Sequence, residues 1–274
     1  MFTKAERLIS LRNLRPKKKE GFLKVISIFS FLGIMLGVAI LIIVMSVMNG
    51  FKTELTKKIL GLNPHIVVQS NGYIIEKNFI TKLKRKFDDI KISKAFSGEG
   101  IIIKNENAKG IIIKGIDNQN KNSQIFLKNF SANKTKEFKL GKTYIGAELA
   151  YNLNLKVGDK INLMSSAFVT TPFGGLPKQE SFEIIGIFNT GFYEFDQNFV
   201  FLNLEDALSI FNKEKKDENL EIYLKEPMRA NSVKEDIQNI NQNYFVYTWS
   251  DLNKSFFSAL KVERNVMFVI LTLI

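Results

Sequence analysis

The sequence predicts an α+β membrane protein: an N-terminal transmembrane helix, a large outer domain with a β-rich subdomain inserted into an α+β part, and the start of a second membrane helix. Three observations carry the prediction. A 24-residue stretch without a charge, Val25 to Met48, directly follows a basic segment. A strand, helix, strand order recurs at both ends of residues 50–265, and the middle between them is strand-rich and aromatic.

The basic segment is 1–24. Lys and Arg outnumber Asp and Glu by 39 to 27 over the 274 residues, and half of the net +12 falls in these first 24 positions. The remaining excess is spread thinly, with no basic cluster interleaved with aromatics, which argues against a nucleic-acid partner. The uncharged run is long enough for a hydrocarbon core of about 30 Å. It is too long for a signal-peptide core, and it leads into "NGFKTEL" rather than a small-residue cleavage site. With "RPKKKE" before the run and the balanced "FKTELTKK" after it, the positive-inside rule makes 1–24 cytoplasmic, 25–49 a transmembrane helix and everything after Asn49 external. Within the span, Gly33 and Gly37 form a G-x-x-x-G and are candidates for close helix packing.

In the outer domain, "HIVVQS" reads as a strand, and "EKNFITKLKRKFDDI" carries Phe79, Ile80, Leu83 and Phe87 at helical spacing. "KAFSGEGIIIKN" and "AKGIIIKGID" read as two strands joined by a polar turn with Asn105 and Asn107. At the far end "NLEIYLK", "ANSVKEDIQNINQ" and "YFVYTW" repeat the strand, helix, strand order. The α+β part is thus expected in two pieces, 50–117 and 213–265, flanking an insert at 118–212. In that insert "GKTYIGAELAYNLNLKVGDKINLMSS" reads as a short helix, a turn and a strand, "ESFEIIGIFNTGFYEFDQNFVFLNL" as strand-rich, and "LEDALSIFN" as a closing helix. After Arg264 the apolar "NVMFVILTLI" is too short to cross a bilayer, so a second membrane helix is expected to start at 266–274 and continue beyond Ile274.

The residues offer little catalytic chemistry. Cysteine is absent, which removes disulfides and thiol chemistry, and the single histidine, His65, has no Cys or second His with which to hold zinc. "LGKT" at 140–143 lacks the earlier glycine of a phosphate loop, since Lys136 stands there. "SGEGIII" lacks the third glycine of a dinucleotide fingerprint. Glu194 and Asp196 in "GFYEFDQN" would share one face of a strand, but no partner for acid–base work is evident.

The stretch "TTPFGGLPKQ", 170–179, stands apart. It places Pro172, Pro177, Gly174, Gly175, Phe173 and Leu176 between two predicted strands. Surface loops are normally polar, so a stiffened apolar loop points to a contact with something else.

Taken together, "KKKEGFLKVISIFSFLGIMLGVAILIIVMSVMNGFKTELTKKILGLNPHI", "YIGAELAYNLNLKVGDKINLMS" and "PFGGLPKQESFEIIGIFNTGFYEFDQNFVFL" resemble the LolC/LolE family, the permease subunits of lipoprotein-releasing ABC transporters. The resemblance runs through most of the chain and is strongest from Lys17 to Ile66. It implies an inner-membrane protein with four transmembrane helices and a periplasmic domain between the first two, built from a porter-like α+β part and a β-rich insert. It implies a cytoplasmic ATPase subunit that hydrolyses ATP, so that this chain is a non-catalytic permease subunit binding no cofactor and no metal. A second permease subunit, giving a hetero- or homodimer, and a lipoprotein substrate complete the implied partners. In the LolC-like branch, or a fused form, the loop at Thr171, Pro172, Phe173, Gly174, Gly175, Leu176, Pro177 and Lys178 is a hook that recruits a periplasmic lipoprotein carrier.

Two other readings share parts of this topology. One is a permease of the macrolide-exporter or cell-division type. The other is a membrane-anchored sensor with a periplasmic ligand-binding domain.

Overall fold

The computed structural model describes residues 21–273 except 71, 88, 105–106, 118–137 and 172–173, together with 3, 5–6 and 8–9. The chain divides into two compact units, one of 1–59 with 253–274 and one of 60–252.

The first unit is helical. Helix α1, Gly21–Leu62, contains a segment at 25–54 long and apolar enough to cross a membrane. Helix α8, Lys254–Leu273, begins well before the expected start at 266. The polar stretch from Lys254 to Arg264, assigned from sequence to the outer domain, is therefore helical too. Gly33 is exposed, and a Cβ there would meet nothing within 4 Å. Gly37 is half-buried.

The second unit is built on one nine-stranded sheet that opens at one end and closes at the other. At the open end the chain runs β1 (Ile66–Ser70), α2 (Lys77–Lys86), the start of β2 (Ile90–Lys104), β8 (Asn219–Leu224), α6 (Ala230–Ile240) and β9 (Tyr244–Thr248), followed by a short α7 (Trp249–Leu252). The strands lie in the order β2-β8-β1-β9, all neighbours antiparallel. This is the βαββαβ order of ferredoxin-like folds. Helix α2 buries Phe79 and Leu83, four residues apart on one face, with the Phe79 ring 4.7 Å from that of Tyr244 on β9. Helix α6 buries Ala230, Val233 and Ile237 in the same way.

At the other end lie β3 (Asn107–Ile116), β4 (Lys142–Gly146), the short helix α3 (Ala147–Asn152), β5 (Lys160–Thr171), β6 (Gly174–Phe188) and β7 (Phe199–Asn203). The order β3-β7-β4-β6-β5-β2, with β3 also paired to β2, closes a six-stranded ring. The insert expected at 118–212 thus does not close on itself. Its four strands need β3 and the outer half of β2, both assigned from sequence to the first α+β piece, because closure leaves no unpaired edge. The core of this barrel includes Ile102, Ile113, Ile145, Leu163, Ile184, Val200 and Leu202, with Leu204, Ala207 and Ile210 from α5 (Leu204–Ile210) packed into the same cluster.

Strand β2 serves both ends, and its glycines show how. A Cβ at Gly98 would lie 2.6 Å from the Phe211 ring, and one at Gly100 would lie 2.6 Å from Ile113 Cδ1. The "SGEG" motif therefore allows close packing where the strand passes from open sheet to barrel, the role of glycine wherever a neighbour approaches a strand.

A buried ion pair crosses the same junction. Lys114 Nζ on β3 lies 2.8 Å from Glu221 Oε1 on β8, and the Tyr223 hydroxyl donates to Glu221 Oε2 at 2.9 Å.

Candidate functional site

Strands β5 and β6 outrun the barrel. Strand β2 pairs with β5 only as far as Ser165, and β4 pairs with β6 only from Glu183 onward. Beyond those points the two strands form a two-stranded arm, paired Phe168 to Pro177, Val169 to Leu176, Thr170 to Gly175 and Thr171 to Gly174. A lone two-stranded ribbon is marginal in water. Here its base is fastened.

The fastening starts from a bulge: between Met164 and Phe168 the register slips, so that residues 165–167 oppose Lys178 alone. Ser165 is buried there and donates its hydroxyl to the Ile210 carbonyl at 2.6 Å. Lys178 Nζ donates to the Ser209 carbonyl at 2.7 Å and lies 3.2 Å from Glu180 Oε1, while the Ser209 hydroxyl donates to that same carboxylate oxygen at 3.3 Å. Both strands are thereby held to the last turn of α5.

Past the bulge the arm is apolar and open. Phe168 is 64% exposed, Val169 47% and Leu176 58%, and Pro177 is exposed as well. Phe168 lies across the strand pair from Gly175, close enough that a Cβ there would sit in ordinary contact with its ring at 3.5 Å. Gly174 has φ of +118°, which L side chains rarely adopt. Pro177 withholds one backbone donor from the arm, which discourages further strand addition there.

These positions change the sequence reading of 170–179. The expected loop is mostly strand, and the reversal expected at Gly174 and Gly175 does not fall on them, because both glycines pair across the arm. Pro172 and Phe173 lie outside the described residues, as does the Thr171 side chain. Gly174, Gly175, Leu176 and Pro177 are brought together on the arm. Lys178 is not at its tip but turned back to the base. Sequence reasoning passed over Phe168 and Val169, although "AFVTT" continues the strand period of "INLM" and places two large apolar residues next to a turn.

The remaining candidates have structural uses. Glu194 and Asp196 lie not on a strand but on the helical turn α4 (Tyr193–Asn198). There Asp196 is buried and accepts from the Thr190 backbone N–H at 3.0 Å and hydroxyl at 2.7 Å, while Glu194 accepts from Gln197 at 3.0 Å. Gly141 of "LGKT" sits in a turn with φ of +72°, and its N–H donates to Asp206 at 2.8 Å. Burial raises the Asp206 pKa. His65 is buried, its Nδ1 accepting from the Leu224 N–H at 2.8 Å and its Nε2 lying 3.1 Å from the Leu60 carbonyl. Burial holds its pKa below the ordinary value. Among the described residues no group of His, Cys, Asp and Glu is placed to hold a metal.

A membrane-length helix joined to a ferredoxin-like sheet and a barrel with a projecting arm defines a membrane-anchored α+β domain of the MacB-like periplasmic core type, whose family model matches residues 27–240. Similar proteins carry the name lipoprotein-releasing system transmembrane protein LolC. One from Neisseria meningitidis serogroup B is 29% identical over 98% of this chain and 66% of its own length. One from Buchnera aphidicola subsp. Acyrthosiphon pisum is 30% identical over 100% of this chain and 68% of its own. A LolE from Haemophilus influenzae is 26% identical over 97% of this chain and 66% of its own. The chain belongs to the LolC/LolE family of permeases, and it spans about two thirds of the length of these relatives.

Proposed function

We propose that the chain is the anchored periplasmic portion of a permease subunit that extracts lipoproteins from the inner membrane and hands them to a soluble carrier. The carrier docks on the β5–β6 arm, and a separate cytoplasmic ATPase drives the cycle together with a second permease subunit. Residues 1–24 lie in the cytoplasm, as the cation bias of the first span requires, and 60–252 in the periplasm. Gly33 and Gly37 are offered to a helix outside this chain.

One observation supports the reading above all: an arm fixed at its base by hydrogen bonds carries Phe168, Val169 and Leu176 outward, each still largely exposed. Order already present before binding lowers the entropy lost on docking. The need for a docked carrier follows from the cargo. Three acyl chains of about fifteen methylenes each amount to roughly 36 kcal/mol of membrane anchoring at about 0.8 kcal/mol per methylene. Release of such a group into open water is prohibitively slow, so the lipid must pass directly between apolar sites.

Photo-crosslinking from position 176 in the full-length transporter tests this. Capture of the carrier from 176, and none from Tyr151, which is exposed elsewhere on the barrel, is expected. Crosslinks from 176 to an outer-membrane channel would favour the macrolide-exporter type instead, and no carrier adduct from 176 would overturn the docking role.

A further inference from the structure

The first unit holds a cleft between its two helices. It is lined on α1 by Met45, Met48, Asn49 and Lys52 and on α8 by Lys261, Arg264 and Met267, among others, with a volume of about 190 Å³. That is room for several waters, and so for a phosphate with its ester oxygens. Two independent boundaries meet here. On α1 the apolar run gives way to Asn49 after Met48 and the first charge follows at Lys52, and on α8 the uncharged run begins after Arg264. One wall of the cleft thus passes from methionine to charge at the same level as the other, so the polar–apolar boundary of a bilayer runs through it.

The charge in the cleft is unbalanced. Lys52, Lys261 and Arg264 stand against one carboxylate, Glu263, and none of these four makes an ion pair or side-chain hydrogen bond among the described residues. Cations close to a membrane surface attract anionic lipid. An arginine beside a lysine suits a phosphodiester especially, because guanidinium binds two phosphate oxygens at once. Below the cations, Met45, Met48 and Met267 offer flexible apolar surface that adapts to an acyl chain.

We infer that this cleft binds one anionic phospholipid, its phosphate held by Lys52 and Arg264 and an acyl chain lying against the methionines. The site is distinct from the arm and takes a lipid of the bilayer rather than the lipoprotein cargo. It rests on the same membrane reading as the proposed function, extended to α8.

The test is native mass spectrometry of the full-length complex released from nanodiscs that contain phosphatidylcholine and phosphatidylglycerol. The wild type should retain phosphatidylglycerol selectively, and K52Q/R264Q should lose that preference by about thirtyfold, equivalent to about 1 kcal/mol for each cation. K82Q/K84Q, the same charge change on α2, should leave the preference intact. Excess inorganic phosphate should not displace the lipid; displacement would make the site one for free phosphate and overturn the inference. Equal retention of both lipids by the wild type, or equal loss in both variants, would also overturn it. In those outcomes incorporation into nanodiscs shows the membrane reading still standing, whereas failure to incorporate would sink both.

Discussion

Lys178 Nζ lies 2.7 Å from the carbonyl oxygen of Ser209, which ties the β5–β6 arm to the last turn of α5. The Ser209 carbonyl also accepts from the Asn212 N–H at 2.9 Å, and the end of a helix carries the negative end of its dipole, so the ammonium adds a charge-assisted bond to a carbonyl with a second lone pair to offer. The cation is used within the fold.

That placement sets the first prediction. K178M should loosen the arm by about 1 kcal/mol, seen as faster amide hydrogen exchange from Phe168 to Pro177 in the full-length protein, and K178R should restore most of the protection. The salt dependence of carrier binding should be the same in K178M as in wild type. A flatter dependence would show that Lys178 meets the carrier directly.

The second concerns the pair that joins barrel and open sheet. Lys114 and Glu221 are both buried, 2.8 Å apart, and Tyr223 already donates to the other carboxylate oxygen. Removing the cation leaves a buried carboxylate without its counter-charge, which costs about 3–5 kcal/mol, whereas replacing both partners with apolar groups is often neutral. K114M should therefore lower the thermal midpoint strongly and K114M/E221M should recover most of it. Similar midpoints for the single and double variants would mean that the pair is not coupled.

The open sheet was legible in the sequence because its helices carry apolar residues at helical spacing and its strands are short and β-branched. The barrel was legible only in composition. Its closure depends on Gly98 and Gly100, whose role appears only once Phe211 and Ile113 are seen beside them; in the sequence they looked like a fragment of a nucleotide motif. The run "GFYEFDQN" reads as strand by aromatic content, yet Asp196 binds Thr190 and draws the segment into a helical turn, a side-chain to backbone competition that periodicity does not register. At the arm, proline and glycine drew attention to the connection, while Phe168 and Val169, ordinary strand residues by type, carry much of the exposed apolar surface.

A third prediction concerns pH. Burial favours the neutral form of His65, which accepts the Leu224 N–H through Nδ1. Its pKa is lower folded than unfolded, so the unfolded chain binds the extra proton first as pH falls. Stability from this residue is full above the ordinary histidine pKa, about 6.5, and is lost progressively as pH drops below that toward the depressed folded value. Thermal unfolding between pH 7.5 and 5 should show this decline in wild type and a shallower one in H65Q, where an amide keeps a donor and an acceptor without titrating. Parallel declines in the two proteins would assign the pH dependence to other groups.

The last prediction returns to the arm. Phe168, Val169 and Leu176 lie beyond the bulge, past the reach of the barrel core, so their burial in the folded chain contributes little. Exposed apolar residues on a pre-ordered ribbon contribute instead when a partner covers them, because the transfer of apolar area from water then occurs on binding. F168S/V169S/L176S should weaken carrier binding by at least about tenfold, equivalent to about 1.4 kcal/mol, with the thermal midpoint and the stimulated ATPase rate of the full complex nearly unchanged. P172G/F173S/P177G should weaken binding comparably, since proline reduces the freedom of the unbound backbone. The control is I184A, which opens a cavity in the barrel core and should lower the midpoint while leaving the arm's surface chemistry intact. If the serine variant binds carrier as wild type does, the arm is not the docking surface; if it unfolds as I184A does, those three side chains belong to the core after all.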